Sequence, residues 1–163
     1  MADTITPCIW FDLGQAKKAA EFYVSLGLPD SRIDHVALSP ADNPSSKEGE
    51  ELLVEFTLAG RSYLGLNGGS MFTPTEAVSF LIQTEDQAET DRLWDAIVGN
   101  GGSESMCGWC KDRWGVSWQI TPRALMDLHR EANPARAKAG FEAMMQMKKL
   151  DIAAILAAAD AAG

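Results

Sequence analysis

Histidine is nearly missing from this chain of 163 residues, basic residues never gather into a run, and no apolar stretch is long. With only His35 and His129 present, no Ser/His/Asp set is apparent, and neither Ser79 nor Ser117 has an obvious base nearby in sequence. Fourteen Lys and Arg against 23 Asp and Glu leave a net charge of −9 and a pI of about 4.6. Such a surface repels a polyanion, so nucleic acid is excluded as a partner, and an anionic membrane surface is disfavoured for the same reason. No segment approaches the roughly 20 apolar residues that span a bilayer. The N-terminus, Met-Ala-Asp-Thr-Ile-Thr-Pro, has neither the basic region nor the apolar stretch of a signal peptide. Three cysteines, an odd number, fit a reducing compartment, so a cytoplasmic location is expected.

What is present is a repeat. The pattern predicts a strand over Ile5–Asp12 and a helix over Gln15–Leu26, with Ala16, Ala19, Ala20, Tyr23 and Leu26 on helical spacing and Gly27 as the stop. Seventy-two residues on, Ala77–Thr84 reads as a strand and Gln87–Val98 as a helix stopped by Gly99. Gln15-Ala16 then matches Gln87-Ala88, and Phe22 matches Trp94. Asp86 and Glu89 form a capping box for the second helix. Strand signals follow each helix. After the first come Arg32–Ser39, Leu52–Leu58 and Ser62–Leu66, the last two joined by a hairpin at Ala59-Gly60-Arg61. After the second come Ser103–Trp109 and Val116–Thr121, joined by Lys111–Gly115, with Gly115 suited to a positive φ. The segment Pro40–Gly49 reads as a flexible surface loop.

A helical tail closes the chain, with helices expected over Arg123–Ala132, Ala135–Leu150 and Ile152–Ala162 and an N-cap at Asp151. Phe141, Met144, Met145, Met147 and Leu150 form a Met-rich stripe suited to core packing or a dimer contact.

The densest stretch is Cys107-Gly-Trp-Cys-Lys-Asp-Arg-Trp-Gly-Val-Ser-Trp-Gln-Ile-Thr-Pro122. Within it Val116, Trp118 and Ile120 share one strand face, and Ser117, Gln119 and Thr121 share the other. That polar face suggests a sheet curling around a polar cavity. Cys107-x-x-Cys110 lies in or beside a strand, without a second ligand pair or a helix N-terminus, and reads as structural. Asp12 and Glu85 end equivalent first strands and read as solvated termini or helix caps.

The repeated βαβββ plan resembles the vicinal oxygen chelate superfamily of glyoxalase I, extradiol dioxygenases and bleomycin-resistance proteins. The Cys107–Pro122 stretch and the tail Met144-Met-Gln-Met-Lys-Lys-Leu-Asp-Ile152 are similar to its PhnB-like branch, whose members often carry the label 3-demethylubiquinone-9 3-methyltransferase. The resemblance implies an α+β fold of two βαβββ modules forming curled mixed sheets, glyoxalase/bleomycin-resistance-like, with C-terminal helices. It places a single domain at 1–122, with modules at about 4–70 and 75–122, and a helical extension at 123–163. In that superfamily a divalent metal is held by four inward His or Glu side chains, one from each of four strands. The matching positions here are Cys8, then Gly65 or Leu66, then Ser79 or Phe80, then Gln119. A thiol and a neutral amide do not hold a first-row metal, so no metal and no cofactor are expected. Asn67-Gly-Gly and Gly99-Asn-Gly-Gly lack the strand-to-helix context of a nucleotide site, so the sequence does not support methyl transfer.

The expected function is therefore metal-independent binding of a small-molecule ligand in an aromatic cavity, with Cys8, Trp10, Ser79, Ser117 and Gln119 as ligand-binding residues and Trp109 and Trp114 near the mouth. The alternative is an enzyme of that superfamily, acting through Cys8 as nucleophile or through a metal held in another register. A homodimer is expected, because cups of this fold are completed by a second module or chain and the Met-rich face needs cover.

Overall fold

In each half of the chain the last strand returns beside the first and runs parallel to it. The computed structural model describes residues 4–12 and 14–163; Met1 to Asp3, at the head of the stretch read above as no signal peptide, and Leu13 lie outside the described residues. The chain forms two compact units, Met1–Pro74 and Thr75–Gly163.

The first unit contains β1 (Cys8–Phe11), α1 (Ala16–Ser25), β2 (Arg32–Leu38), β3 (Glu51–Leu58) and β4 (Arg61–Asn67). Its sheet has the order β1-β4-β3-β2, with β1 and β4 parallel and the other pairs antiparallel. Alternation along the strands buries Ile9, Phe11, Val54 and Phe56 on one face, where α1 lays down Ala16, Ala19, Ala20 and Tyr23. The small residues allow close approach: a Cβ at Gly65 would stand 3.2 Å from that of Ala16. The side chain of Gln15 does not cap α1. Instead the buried Asn67 of β4 accepts from the Ala16 N–H at 2.9 Å and donates to the Glu51 carbonyl at 2.9 Å. The β3–β4 turn is two residues, Ala59 and Gly60, both at positive φ, because Leu58 already pairs with Arg61.

The loop at 40–49 departs from the expected flexible segment. Asn43 Nδ2 donates to Ser39 Oγ and Ser46 Oγ, both at 2.8 Å, and its Oδ1 accepts from the Ser45 and Ser46 N–H groups. Side-chain bonds to the loop's own backbone give it a fixed shape.

The second unit repeats the plan with β5 (Ser79–Thr84), α2 (Gln87–Gly99), β6 (Ser103–Glu104), β7 (Trp109–Lys111) and β8 (Ser117–Pro122), in the order β5-β8-β7-β6 with β5 and β8 parallel. The expected single strand over Ser103–Trp109 is broken. Cys107 and Gly108 both adopt positive φ, so β6 and β7 become separate paired strands and Cys107 sits in a turn. The N-cap forms as expected, with Asp86 accepting from the Glu89 N–H at 2.8 Å; the Glu89 carboxylate reaches back one residue further than a capping box, to the Glu85 N–H at 2.8 Å. Gly99 is the last residue of α2, and the positive φ falls at Gly101. Along the helices the offset is accordingly 74, not 72. Gly27 corresponds to Gly101, and the buried Ala16, Ala19, Ala20 and Tyr23 correspond to the buried Thr90, Leu93, Trp94 and Ile97. A shift of two residues turns a helix by about 200°, so the matching letters at offset 72 lie on different faces.

The tail folds as α3 (Arg123–Leu128), α4 (Pro134–Met144) and α5 (Ile152–Asp160), shorter than expected. Asn133 and Asp151 cap α4 and α5. The Met-rich stripe does not share one helix face, because α4 ends at Met144. Met144 and Leu150 join Leu125, Leu128, Ile155 and Ala159 in a core, whereas Phe141 and Met145 are exposed. Within this unit the tail is tied to the sheet and helix. The Cys107 and Gly108 N–H groups donate to the Met147 and Lys148 carbonyls, at 2.7 and 2.8 Å. The Gln87 side chain donates to the Leu150 carbonyl at 3.0 Å and accepts from the Ile152 N–H at 2.9 Å. Gln87→Ala removes these two bonds to the tail, together with the one Gln87 donates to Asp91 at 3.0 Å, and is expected to lower stability by about 1–2 kcal/mol in urea unfolding; an unchanged midpoint would show that the apolar core alone seats the tail.

Candidate functional site

Each sheet has one face under its helix and one open face, and the strand registers lay the open-face residues out in rows. In the first unit Cys8, Leu64, Glu55 and His35 form one row across β1, β4, β3 and β2, and Trp10, Leu66, Leu53 and Ala37 form the next. Gly65, one of the two residues expected at the β4 position, lies against α1 instead, so Leu64 and Leu66 are the open-face residues of β4. His35 lies in the strand expected over Arg32–Ser39. A register shift between Ile33 and His35 sets the imidazole opposite the Glu55 carboxylate on the open face, and the intervening Asp34 is held by Thr57 and Arg32.

Trp10 is braced. Its indole N–H donates to the Gly69 carbonyl at 2.7 Å, Phe72 meets it edge-on at 5.0 Å, and Gly68 lies flat against it. A Cβ at Gly68 would fall 2.3 Å from the ring. Cys8 is exposed as a residue, yet partial desolvation of its sulfur pushes the thiol up from the usual value of 9.0. At neutral pH it is a thiol, which disfavours the nucleophile role.

In the second unit Ser79, Ser117, Lys111 and Ser103 form one row across β5, β8, β7 and β6, and Leu81, Gln119 and Trp109 form the next. The Gln119 amide donates to Ser79 Oγ at 2.8 Å. The opposite face carries Phe80, Ile82, Trp118, Ile120 and Cys110, with Phe80 and Trp118 at 5.5 Å. The alternation expected along β8 therefore holds, with Ser117 and Thr121 buried. The turn after β7 is organised by Asp112, which is 4% exposed. It accepts from the Trp118 indole at 3.0 Å and from the Trp114 and Val116 N–H groups at 2.9 and 3.0 Å, and Gly115 takes the positive φ expected of it. Trp114 lies in this turn with the Arg113 guanidinium 5.7 Å from its ring.

Of the five candidate residues, Cys8 and Trp10 thus fall on the open face of the first sheet, and Ser79, Ser117 and Gln119 gather on that of the second. Two cavities of the first unit lie elsewhere. One of about 690 Å³ sits by Pro7 and the Ala59–Tyr63 hairpin; one of about 470 Å³ lies between Gly14, Ser46, Glu51 and Asn67.

The metal positions of the fold family carry Cys8, Leu64 or Leu66, Ser79 and Gln119 here, a donor set that does not fit a divalent ion. Among the described residues no group of three or more His, Cys, Asp or Glu stands close enough to hold one. Cys107 and Cys110 are both free; Cys107 packs on the tail core, and burial, then the Asp112 charge, pushes the Cys110 thiol up to about 12.

Two four-stranded mixed sheets, each built as βαβββ with its own helix, define the glyoxalase/bleomycin-resistance-like α+β fold. The family model described as 3-demethylubiquinone-9 3-methyltransferase matches residues 3–121, and the chain belongs to that family, the PhnB-like branch of the vicinal oxygen chelate superfamily. The PhnB protein from Bacillus cereus is 30% identical, with a TM-score of 0.64 over 74% of this chain and 99% of its own. Protein PA1353 from Pseudomonas aeruginosa, 19% identical with a TM-score of 0.58 over 74% of this chain and 98% of its own, shares the fold. No curated protein matches the chain. Among the described residues no helix is long and apolar enough to cross a membrane.

Gly68→Ala is expected to drive the Trp10 indole off the Gly69 carbonyl, lowering stability by about 1–3 kcal/mol and shifting the emission assigned to Trp10 by subtraction of the Trp10→Phe spectrum. Unchanged emission would show that the ring does not fill this space. The raised Cys110 thiol gives an alkaline signature. Below pH 9 both folded and unfolded chains keep the proton; as pH rises from 9 towards about 12 only the unfolded chain loses it, so stability falls over that window. Urea midpoints measured across it are expected to slope less in Cys110→Ala, and equal slopes would refute the assignment.

Proposed function

We propose that this protein is a metal-independent small-molecule binding protein, with Cys8 and Trp10 as ligand-binding residues on the open face of the first sheet and Ser79, Ser117 and Gln119 as ligand-binding residues on that of the second. One observation carries the reading: each open face combines a Trp and aliphatic side chains with a few polar groups, while the metal positions lack ionisable donors except one thiol. The glycine pairs give methyl transfer no support: Gly68 makes room for Trp10, and a Cβ at Gly102 would fall 2.3 Å from the Lys111 carbonyl, so both pairs serve packing. The raised Cys8 thiol argues against the enzymatic alternative through that residue.

The protein is proposed to act as a homodimer in the cytoplasm. Exposed apolar side chains that include Phe141 and Met145 support the dimer, and three free cysteines support a reducing compartment.

The test uses chelator-treated protein, a thermal-shift panel of small aromatic compounds, and mass spectrometry of whatever compound binds. The expected result is a rise in Tm that persists without metal, the compound being recovered unchanged. Near-stoichiometric Zn, Ni, Mn or Fe in the untreated protein, with activity lost on chelation, would overturn the proposal. So would chemical conversion of the bound compound.

A further inference from the structure

The open face of the second sheet holds a buried hydroxyl that the fold leaves unused. Ser117 is 1% exposed, and its Oγ has no hydrogen-bond partner among the described residues. Leaving a buried hydroxyl unpaired costs about 1–3 kcal/mol, so such a group calls for a use. Its row neighbours are also donors. Ser79 Oγ accepts from the Gln119 amide at 2.8 Å, which leaves its own proton to give. Lys111, directly opposite Ser117 on β7, brings an ammonium. Three donor groups thus lie in one row with Ser117 at the centre, and nothing in the row is an acceptor by charge. Lys111 is already engaged: the Glu76 carboxylate, on the lead-in to β5, lies 2.5 Å from Nζ, with side-chain exposures of 64% for Glu76 and 33% for Lys111. The next row, about 7 Å along the strands, carries Leu81 and Trp109 beside Gln119, an apolar wall one ring-length from the donors.

We propose that Ser79, Ser117 and Lys111 form a subsite for the carboxylate of a small aromatic monoacid, whose ring lies on Trp109 and Leu81, and that Glu76 competes with that carboxylate for Lys111 in the free protein. The net charge of −9 repels multiply charged anions and so favours a monoacid over phosphate. Glu76, exposed and held to Lys111 at one point, is a weak internal competitor. The subsite rests on the binding reading above and adds to it the sign and geometry of the ligand.

The test titrates benzoate, its neutral isostere benzamide, and benzylamine into the wild type, Lys111→Met, Glu76→Gln and Ser117→Ala. Benzoate is expected to bind about tenfold or more tighter than benzamide, with benzylamine weakest, and Lys111→Met is expected to abolish the preference. Glu76→Gln is expected to tighten benzoate by about two- to fivefold, the worth of one exposed pair. Ser117→Ala is expected to weaken benzoate while raising Tm by about 2–4 °C, because an unpartnered hydroxyl has gone. Equal binding of benzoate and benzamide would overturn the subsite and leave ligand binding standing. Preference for benzylamine, or benzoate affinity indifferent to both Lys111→Met and Glu76→Gln, would also overturn it. A lower Tm in Ser117→Ala would show the hydroxyl to be structural and refute its role.

Discussion

Everything in this fold depends on a helix covering only one side of a four-stranded sheet. Parallel pairing of the first and last strands in each unit puts them side by side, and the period-two alternation then sends every second side chain under the helix and every other one to the open face. A one-residue slip would exchange the two sets. The register is therefore fixed by burial of Ile9, Phe11, Val54 and Phe56 in one unit and Cys110, Trp118 and Ile120 in the other, and the arrangement of open-face groups follows from that packing.

The open faces differ in character as a result. The first carries an imidazole, a carboxylate and a thiol in one row and an apolar row beside it; the second carries hydroxyls, an amide and an ammonium with Trp109 and Leu81. Membership of the PhnB-like family fixes the architecture and leaves the chemistry to these rows. The donor set does not fit a divalent ion, and its hydroxyls and aromatic rings are the groups on which the proposed ligand rests.

Much of the architecture was legible in the sequence because it rests on local signals. The alternation along β8, the stop at Gly27, the caps at Asp86 and Asp151 and the positive φ of Gly115 each follow from residues close in sequence. What was not legible depends on partners far along the chain or on conformations the residue type does not announce. Positive φ at Cys107, a residue with no special preference for it, splits the expected strand. The repeat offset was misjudged because identical letters at Gln15 and Gln87 outweighed the burial period. Asp112 reads as a turn residue and proves to lock Trp118 from within the core. The facing of Glu55 and His35 depends on a register shift that no pattern in β2 marks.

The two helices begin in physically different ways. The first turn of α2 is closed by Asp86, three residues before the N–H it accepts, whereas that of α1 is closed by Asn67, 51 residues downstream. A locally capped helix starts as soon as its own residues meet; one capped across the sheet waits for the return of the final strand and bears the loop-closure entropy first. The duplicated units therefore differ in the order of events during folding: the second is able to grow outward from its helix, and the first is set only when its sheet closes. Repetition of a shape does not carry repetition of a pathway.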